Sequence, residues 1–245
     1  MKKINNFLDA TYLKSIADEH VTESEYKERI IVLLKNAIQY SVKCVMIRPE
    51  YVAMAKQYFL HHKSQVLVGT VIDFPFGTAT LKDKLTQATE AISNGTDELD
   101  FVINYEAYKN GEVNLVQQEV KECTALCLQH HKTVKWIIET AALTNDEIVK
   151  LTTLIKNVVI RNFKETAYSN VFIKTSTGVY ITQNNMPSGA TPLAVMLMLE
   201  NATPLSVKAS GGIKDLQTVL FYLQMGVKRI GTSSQMEILS ENTQS

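Results

Sequence analysis

Short apolar runs alternate with longer helical patterns along almost the whole chain, and this alternation limits the possible folds more than any other feature. Residues 6–10, 43–47, 66–72, 98–104, 133–139, 171–176, 205–210 and 228–232 read as strands, and each is followed by apolar residues at helical spacing. Strands always separated by a helix run parallel, because each crossover returns the chain to the same end of the sheet. Eight such units in 245 residues fit a closed barrel better than an open sheet. The chain therefore reads as α/β, a single (β/α)8 TIM barrel, with residues 1–245 forming one domain. The first and last units are the least marked. Local punctuation agrees with this reading. Thr22-Glu-Ser-Glu25 and Thr144-Asn-Asp-Glu147 are capping boxes. Thr191-Pro192 and Asp215 supply further helix starts, and Gly95 and Gly226 fall where helices should stop.

Side chains alternate across a strand, so each run sorts into two faces. In the fourth run Leu99, Phe101 and Ile103 oppose Glu98, Asp100, Val102 and Asn104. Lys135 and Glu139 share a face in the fifth run, Lys174 lies opposite Val171 and Ile173 in the sixth, and Lys208 lies opposite Val207 and Ala209 in the seventh. In a barrel the helices cover the outer face and closure covers the inner one. The charged face is then enclosed, so Lys135, Lys174, Lys208, Asp100 and Glu139 are expected to point inward. Burying such ions costs several kcal/mol each unless they are paired or used. The cluster is either a catalytic group or a structural ion-pair network, since both perturb pKa values.

If it is catalytic, three lysines beside two carboxylates suggest amine chemistry. A free lysine is only ~0.04% neutral at pH 7, hence a poor nucleophile. A second ammonium and partial desolvation both favour the neutral form. Making the amine reactive near neutrality takes ~4 kcal/mol of differential interaction, which Lys174 and Lys208 on adjacent strands could supply. A neutral amine forms a Schiff base with a carbonyl substrate, and the protonated imine is an electron sink for carbon–carbon cleavage.

Glycine is the second signal. Six of the ten glycines fall from Gly178 onward, and Ser210-Gly-Gly-Ile213 and Gly231-Thr-Ser-Ser234 follow the seventh and eighth strands. They read either as tight turns or as an anion cradle, because glycine lets backbone amides approach closely and a following helix adds its dipole. Barrels often hold a phosphate at this place.

Charge narrows the partners. The 25 Lys+Arg residues balance 25 Asp+Glu, which argues against nucleic acid or an anionic membrane held by bulk charge. The apolar run at 193–199 is too short to cross a bilayer, and residues 1–14 carry no apolar stretch resembling a signal peptide. Three cysteines, Cys44, Cys123 and Cys127, suggest a reducing, cytoplasmic setting. Cys123, Cys127, His130 and His131 have metal-like spacing but lie in a helix with an apolar stripe, so a buried helix face is expected, and His61-His62 reads as solvated. No histidine ends a strand, which argues against a zinc-dependent aldolase; no metal and no cofactor are expected.

At this point the residues resemble a family. Phe172-Ile-Lys-Thr-Ser-Thr-Gly178 is similar to the lysine signature of the deoxyribose-phosphate aldolases, class I (Schiff-base) enzymes with a (β/α)8 fold. Val207-Lys-Ala-Ser-Gly-Gly-Ile213 resembles their second lysine motif. Leu8-Asp-Ala-Thr11, Gly69-Thr-Val-Ile-Asp-Phe-Pro-Phe-Gly77, Asp97-Glu-Leu-Asp100, Val134-Lys-Trp-Ile-Ile-Glu-Thr140 and Ser188-Gly-Ala-Thr191 match in order over nearly the whole chain. The resemblance implies reversible cleavage of 2-deoxy-D-ribose 5-phosphate to D-glyceraldehyde 3-phosphate and acetaldehyde, in deoxyribonucleotide catabolism. Lys174 would form the Schiff base, Lys208 would lower its pKa and assist proton transfer, and Asp100 would move protons. Gly178, Gly211, Gly212, Gly231, Ser233 and Ser234 would contact phosphate, with Asp9, Thr11, Lys135 and Thr175 in support. A homodimer is the expected assembly. Three positions depart from the family pattern: Ala10 stands where His is common, Val171 where Asp is common, and Lys214 where Arg is frequent. The alternatives are a transaldolase-like or other sugar-phosphate Schiff-base aldolase, and a non-catalytic phosphate-sensing barrel. A segment at 235–239 reads as a short helix. With no Tyr or His after Ser234, the C-terminal tail is expected to take no part in the chemistry.

Overall fold

A computed structural model of the protein describes residues 4–182 and 188–244. Its strands are β1 Leu8–Tyr12, β2 Cys44–Ile47, β3 Leu67–Ile72, β4 Glu98–Val102, β5 Thr133–Ile137, β6 Val171–Lys174, β7 Ser206–Ser210 and β8 Arg229–Thr232. All are parallel and pair in chain order, and β8 closes on β1 through Leu8↔Ile230 and Asp9↔Gly231. The helices are α1 Ile16–Glu19, α2 Glu23–Tyr40, α3 Val52–His61, α4 Leu81–Ser93, α5 Tyr105–Lys109, α6 Val113–Gln129, α7 Asn145–Asn162, α8 Pro192–Ala202, α9 Leu216–Met225 and α10 Gln235–Gln244. This is the (β/α)8 barrel that the alternation predicts.

Helix starts follow the side chains that cap them. Both capping boxes are formed, at Thr22 with Glu25 and at Thr144 with Glu147. Thr191 accepts from the Ala194 N–H ahead of Pro192, and Asp215 accepts from the Thr218 N–H. Each satisfies an otherwise orphaned donor, worth ~1 kcal/mol. The helix read at 235–239 runs on to Gln244 and buries Ile238 and Leu239, while Ser245 lies outside the described residues.

Strand limits differ from the sequence reading by two residues at several places. β1 begins at Leu8 because Ile4–Phe7 wind into a 3-10 turn. β4 stops at Val102, and Asn104 caps α5 by accepting the Ala107 N–H. β5 stops at Ile137, and Glu139 turns into the left-handed region at φ 54°.

The main core lies between strands and helices. Trp136 is fully buried there, stacked on Phe101 at 5.1 Å, and its Nε1 donates to Thr124 Oγ1. Cys123 and Cys127 lie on the buried face of α6, and His130 and His131 are exposed beyond its end. A second, separate apolar cluster of Leu13, Cys44, Met46 and Val71 fills the β1–β3 side of the barrel interior. Gly69 makes room for it, since a Cβ there would come within 2.4 Å of Met46 Sδ. No helix among the described residues is long and apolar enough to cross a membrane.

Candidate active site

The other side of the barrel interior is charged. Strand parity sends Asp9 of β1, Glu98 and Asp100 of β4, Lys135 of β5, Lys174 of β6, Lys208 of β7 and Arg229 of β8 into one buried network. Asp100 is its hub, with Lys135 Nζ at 2.6 Å, Lys208 Nζ at 2.8 Å and Lys174 Nζ at 2.9 Å. Below it, Arg229 pairs with Asp9 at 2.5 Å and Glu98 at 2.6 Å. Lys135 also reaches Glu98 at 2.7 Å, and Lys208 reaches Asp9 at 2.6 Å. Four cationic side chains thus meet three carboxylates, leaving one positive charge in excess.

The excess falls on Lys174. Burial pushes its amine down, Lys208 and Lys135 push the same way, and Asp100 opposes them; the pKa settles at about 8. Its ion pairing within the network is with Asp100 alone, whereas Lys135 sits among three carboxylates. Those carboxylates overcome burial and raise the Lys135 pKa. Burial acts to raise Asp9, but Arg229, Lys208 and Lys135 bring it to about 2, and Lys135, Lys174 and Lys208 hold Asp100 well below the carboxylate range. The network therefore holds fixed carboxylates, one firmly charged lysine and one amine that can lose its proton near neutral pH. Such an amine is a candidate nucleophile.

Lys174, 4% exposed, forms the floor of a cavity of about 420 Å³ at the C-terminal mouth of the barrel. Gly178, Gly211, Gly212, Gly231 and Ser233 line it together with Thr11 and Lys214. A larger groove of about 680 Å³ between α6 and α7 lies on the outer surface, away from these side chains. Gly211 adopts φ 93° and packs so closely on the 188–191 segment that a Cβ on Gly189 would meet Gly211 O at 2.5 Å. Lacing between strand ends holds the rim. Thr175 Oγ1 donates to Ser210 O and accepts the Ser210 N–H, and Ser210 Oγ donates to Ser176 O.

Not every expected residue reaches the cavity. Lys208, Asp100, Asp9 and Lys135 lie beneath it in the ion network. Thr175 is a buried staple between strands. Ser234 is absent from the cavity wall, and its N–H is taken by Thr232 Oγ1. Glu139 is buried as expected but stands outside the ion-pair network. Its carboxylate forms no ion pair with the lysines but binds Thr177, because the chain turns after Ile137 and the alternation ends. Ala10 and Val171 pack in the apolar core.

Residues 11–233 match the sequence profile of the DeoC/LacD family aldolases. The chain belongs to that family. This DeoC/LacD aldolase is 36% identical to the deoxyribose-phosphate aldolase of Thermococcus gammatolerans over 237 residues, covering 96% of this chain and 95% of that protein. Deoxyribose-phosphate aldolase 1 of Staphylococcus aureus (strain MSSA476) is 35% identical, with 97% of this chain and 96% of that protein covered. Among solved structures, the aldolase QR15 superposes with a TM-score of 0.81 at 31% identity, over 100% of this chain and 97% of that one. The tetrameric deoxyribose phosphate aldolase of Aeropyrum pernix superposes with a TM-score of 0.76 at 28% identity, over 98% and 91%.

Two members of this aldolase's network escape a sequence-only reading. Arg229 belongs to no recognisable motif, although it precedes the inward-facing Gly231 by two residues on β8 and so shares its parity. Glu98 shares the inward face of β4 with Asp100, but nothing in the sequence ties it to Arg229. Asp9, Cys44 and Glu98 come close enough to hold a metal ion. Arg229 and Lys135 already occupy the two carboxylates, and burial pushes the Cys44 thiol well up, so the trio does not fit a cation.

Proposed function

We propose that the chain is a class I deoxyribose-phosphate aldolase, acting as one catalytic domain on 2-deoxy-D-ribose 5-phosphate. The observation that carries this reading is Lys174 itself. Its amine is brought to a pKa of about 8 at the floor of a glycine-rimmed cavity and held 2.9 Å from an Asp100 that also binds Lys208.

The neutral Lys174 amine attacks C1 of the open-chain sugar, and the resulting carbinolamine takes up a proton and loses water to give a protonated imine. Removal of the proton from the C3 hydroxyl breaks the C2–C3 bond. The bonding pair moves into the imine, leaving an enamine on Lys174 and releasing D-glyceraldehyde 3-phosphate. Protonation at C2 and hydrolysis of the imine release acetaldehyde and restore the amine. In this reading Lys208 and Asp100, which lie beneath the cavity, relay these protons through water. The Gly178, Gly211–Gly212 and Gly231–Ser233 segments, with Lys214 at the rim, suit the phosphate. Binding energy gained there positions the reacting carbonyl. We further propose a cytoplasmic homodimer. Leu193 and Met196 on α8 and Leu220 and Phe221 on α9 are exposed and offer an apolar face, and the three cysteines are free.

The test is acetaldehyde release from 2-deoxyribose 5-phosphate without added metal, repeated with EDTA. Equal activity in both, and a much lower kcat/KM for 2-deoxyribose lacking phosphate, are expected. No release from the phosphorylated sugar would overturn the assignment. Sedimentation velocity tests the dimer.

A further inference from the structure

Glu139 makes its closest side-chain hydrogen bonds to Thr177, with the Ser176 hydroxyl and the Lys174 charge also acting on its carboxylate. Just past β5, 1% exposed, its Oε2 accepts the Thr177 N–H at 3.0 Å and the Thr177 hydroxyl at 2.5 Å. Oε1 is buried and has no hydrogen-bond partner among the described residues. An unpaired buried oxygen is costly, so a residue serving packing alone would do better without this carboxyl group. Thr177 Oγ1 in turn accepts the Val179 N–H at 3.2 Å. A hydroxyl carries one proton and two lone pairs. Glu139 takes the proton and Val179 takes one lone pair. One lone pair is left, on a residue that lines the Lys174 cavity.

We propose that Glu139 is a positioning residue that makes Thr177 an obligate hydrogen-bond acceptor, so that the site selects acceptor aldehydes bearing a hydroxyl next to the reacting carbonyl over aldehydes that lack it. The location sets which hydroxyl is read. Thr177 stands between Lys174, where the new carbon–carbon bond is made or broken, and Gly178, the first residue of the proposed phosphate rim. A substrate group between the reacting carbon and the phosphate faces it. A hydroxyl there can donate to the free lone pair; a hydrogen in its place cannot. Because Oε2 is the atom that accepts, a proton on Glu139 would reside on Oε1 and leave the arrangement intact.

This inference rests on the aldolase reading. The test measures kcat/KM with acetaldehyde as donor and two acceptors that differ by one hydroxyl, D-glyceraldehyde and 3-hydroxypropanal. Glu139→Leu frees the Thr177 proton and is expected to reduce the preference for D-glyceraldehyde at least tenfold. Thr177→Val should do the same, and the double variant should lose no more than either single one, because both changes remove one interaction. Glu139→Gln keeps a carbonyl oxygen for both Thr177 donors and should retain the preference within threefold. Borohydride with acetaldehyde should label Glu139→Leu as fully as the wild type. Equal losses for both acceptors, an unchanged preference, or additive effects in the double variant would overturn the proposal. If Glu139→Leu does not fold, an unchanged preference in Thr177→Val overturns it alone. A wild-type protein that takes no borohydride label refutes the aldolase reading instead.

Discussion

At the scale of single residues, the barrel interior divides labour among lysines that differ only in their neighbours. Lys135 is surrounded by carboxylates and stays charged. Lys174 is buried against a single carboxylate and two other ammonium groups and drops to about 8. Borohydride added with acetaldehyde is expected to inactivate the protein and label Lys174, as read by peptide mass analysis. Labelling should be slow at pH 6, rise through pH 8 and then level off, because the deprotonated amine is the nucleophile. A label on Lys208 would reassign the roles. Replacing Lys208 or Asp100 by Leu should lower kcat by ~10²–10⁴-fold, the usual contribution of general acid–base groups, with the far-UV spectrum unchanged. A loss under tenfold in a folded variant removes that residue from the mechanism.

At the scale of elements, a second buried ion pair shapes the loop after β3. Lys84 of α4 is fully buried and donates to Gly77 O, to Val102 O at the end of β4 and to Glu119 of α6, with Asp73 at 3.3 Å. It joins two helices, one strand end and the loop whose Phe74 lines the cavity. Lys84→Met strands a buried carboxylate and is expected to cost ~3–5 kcal/mol in urea unfolding, while Lys84→Met with Glu119→Leu should regain most of it. Elements were also where the sequence was most legible and where it failed. Alternation placed Lys135, Lys174, Lys208 and Asp100 correctly, because parity holds while the backbone stays extended. It does not give the partner of Glu139, which lies two residues beyond the end of β5 in a left-handed turn and binds Thr177 rather than a lysine. Nothing local announces that turn. The Lys84–Glu119 pair joins residues 35 apart, a contact that periodicity within either helix does not encode.

At the scale of the whole molecule, barrel closure depends on Asp9 as well as on backbone pairing, since Asp9 of β1 grips Arg229 of β8 where the first and last strands meet. The folded Asp9 carboxyl titrates at about 2, below its ordinary 3.8. Its contribution is therefore fully present above about pH 4 and is lost as pH falls through 2. Asp9→Asn should destabilise the barrel by ~3–5 kcal/mol at pH 7, and the gap to the wild type should narrow in urea titrations taken toward pH 2. A gap constant with pH would refute the linkage. The same interior has a consequence for speed. With Lys174 neutral, four would-be cations and three carboxylates sum to zero, and the iminium that forms on that nitrogen restores the single charge the protonated amine carried, at the same point in space. The dipoles and ions around it already face a cation in the resting protein. The reaction then proceeds with little reorientation of its surroundings, which is the form of catalysis that a rigid, dry and heavily charged barrel supplies best.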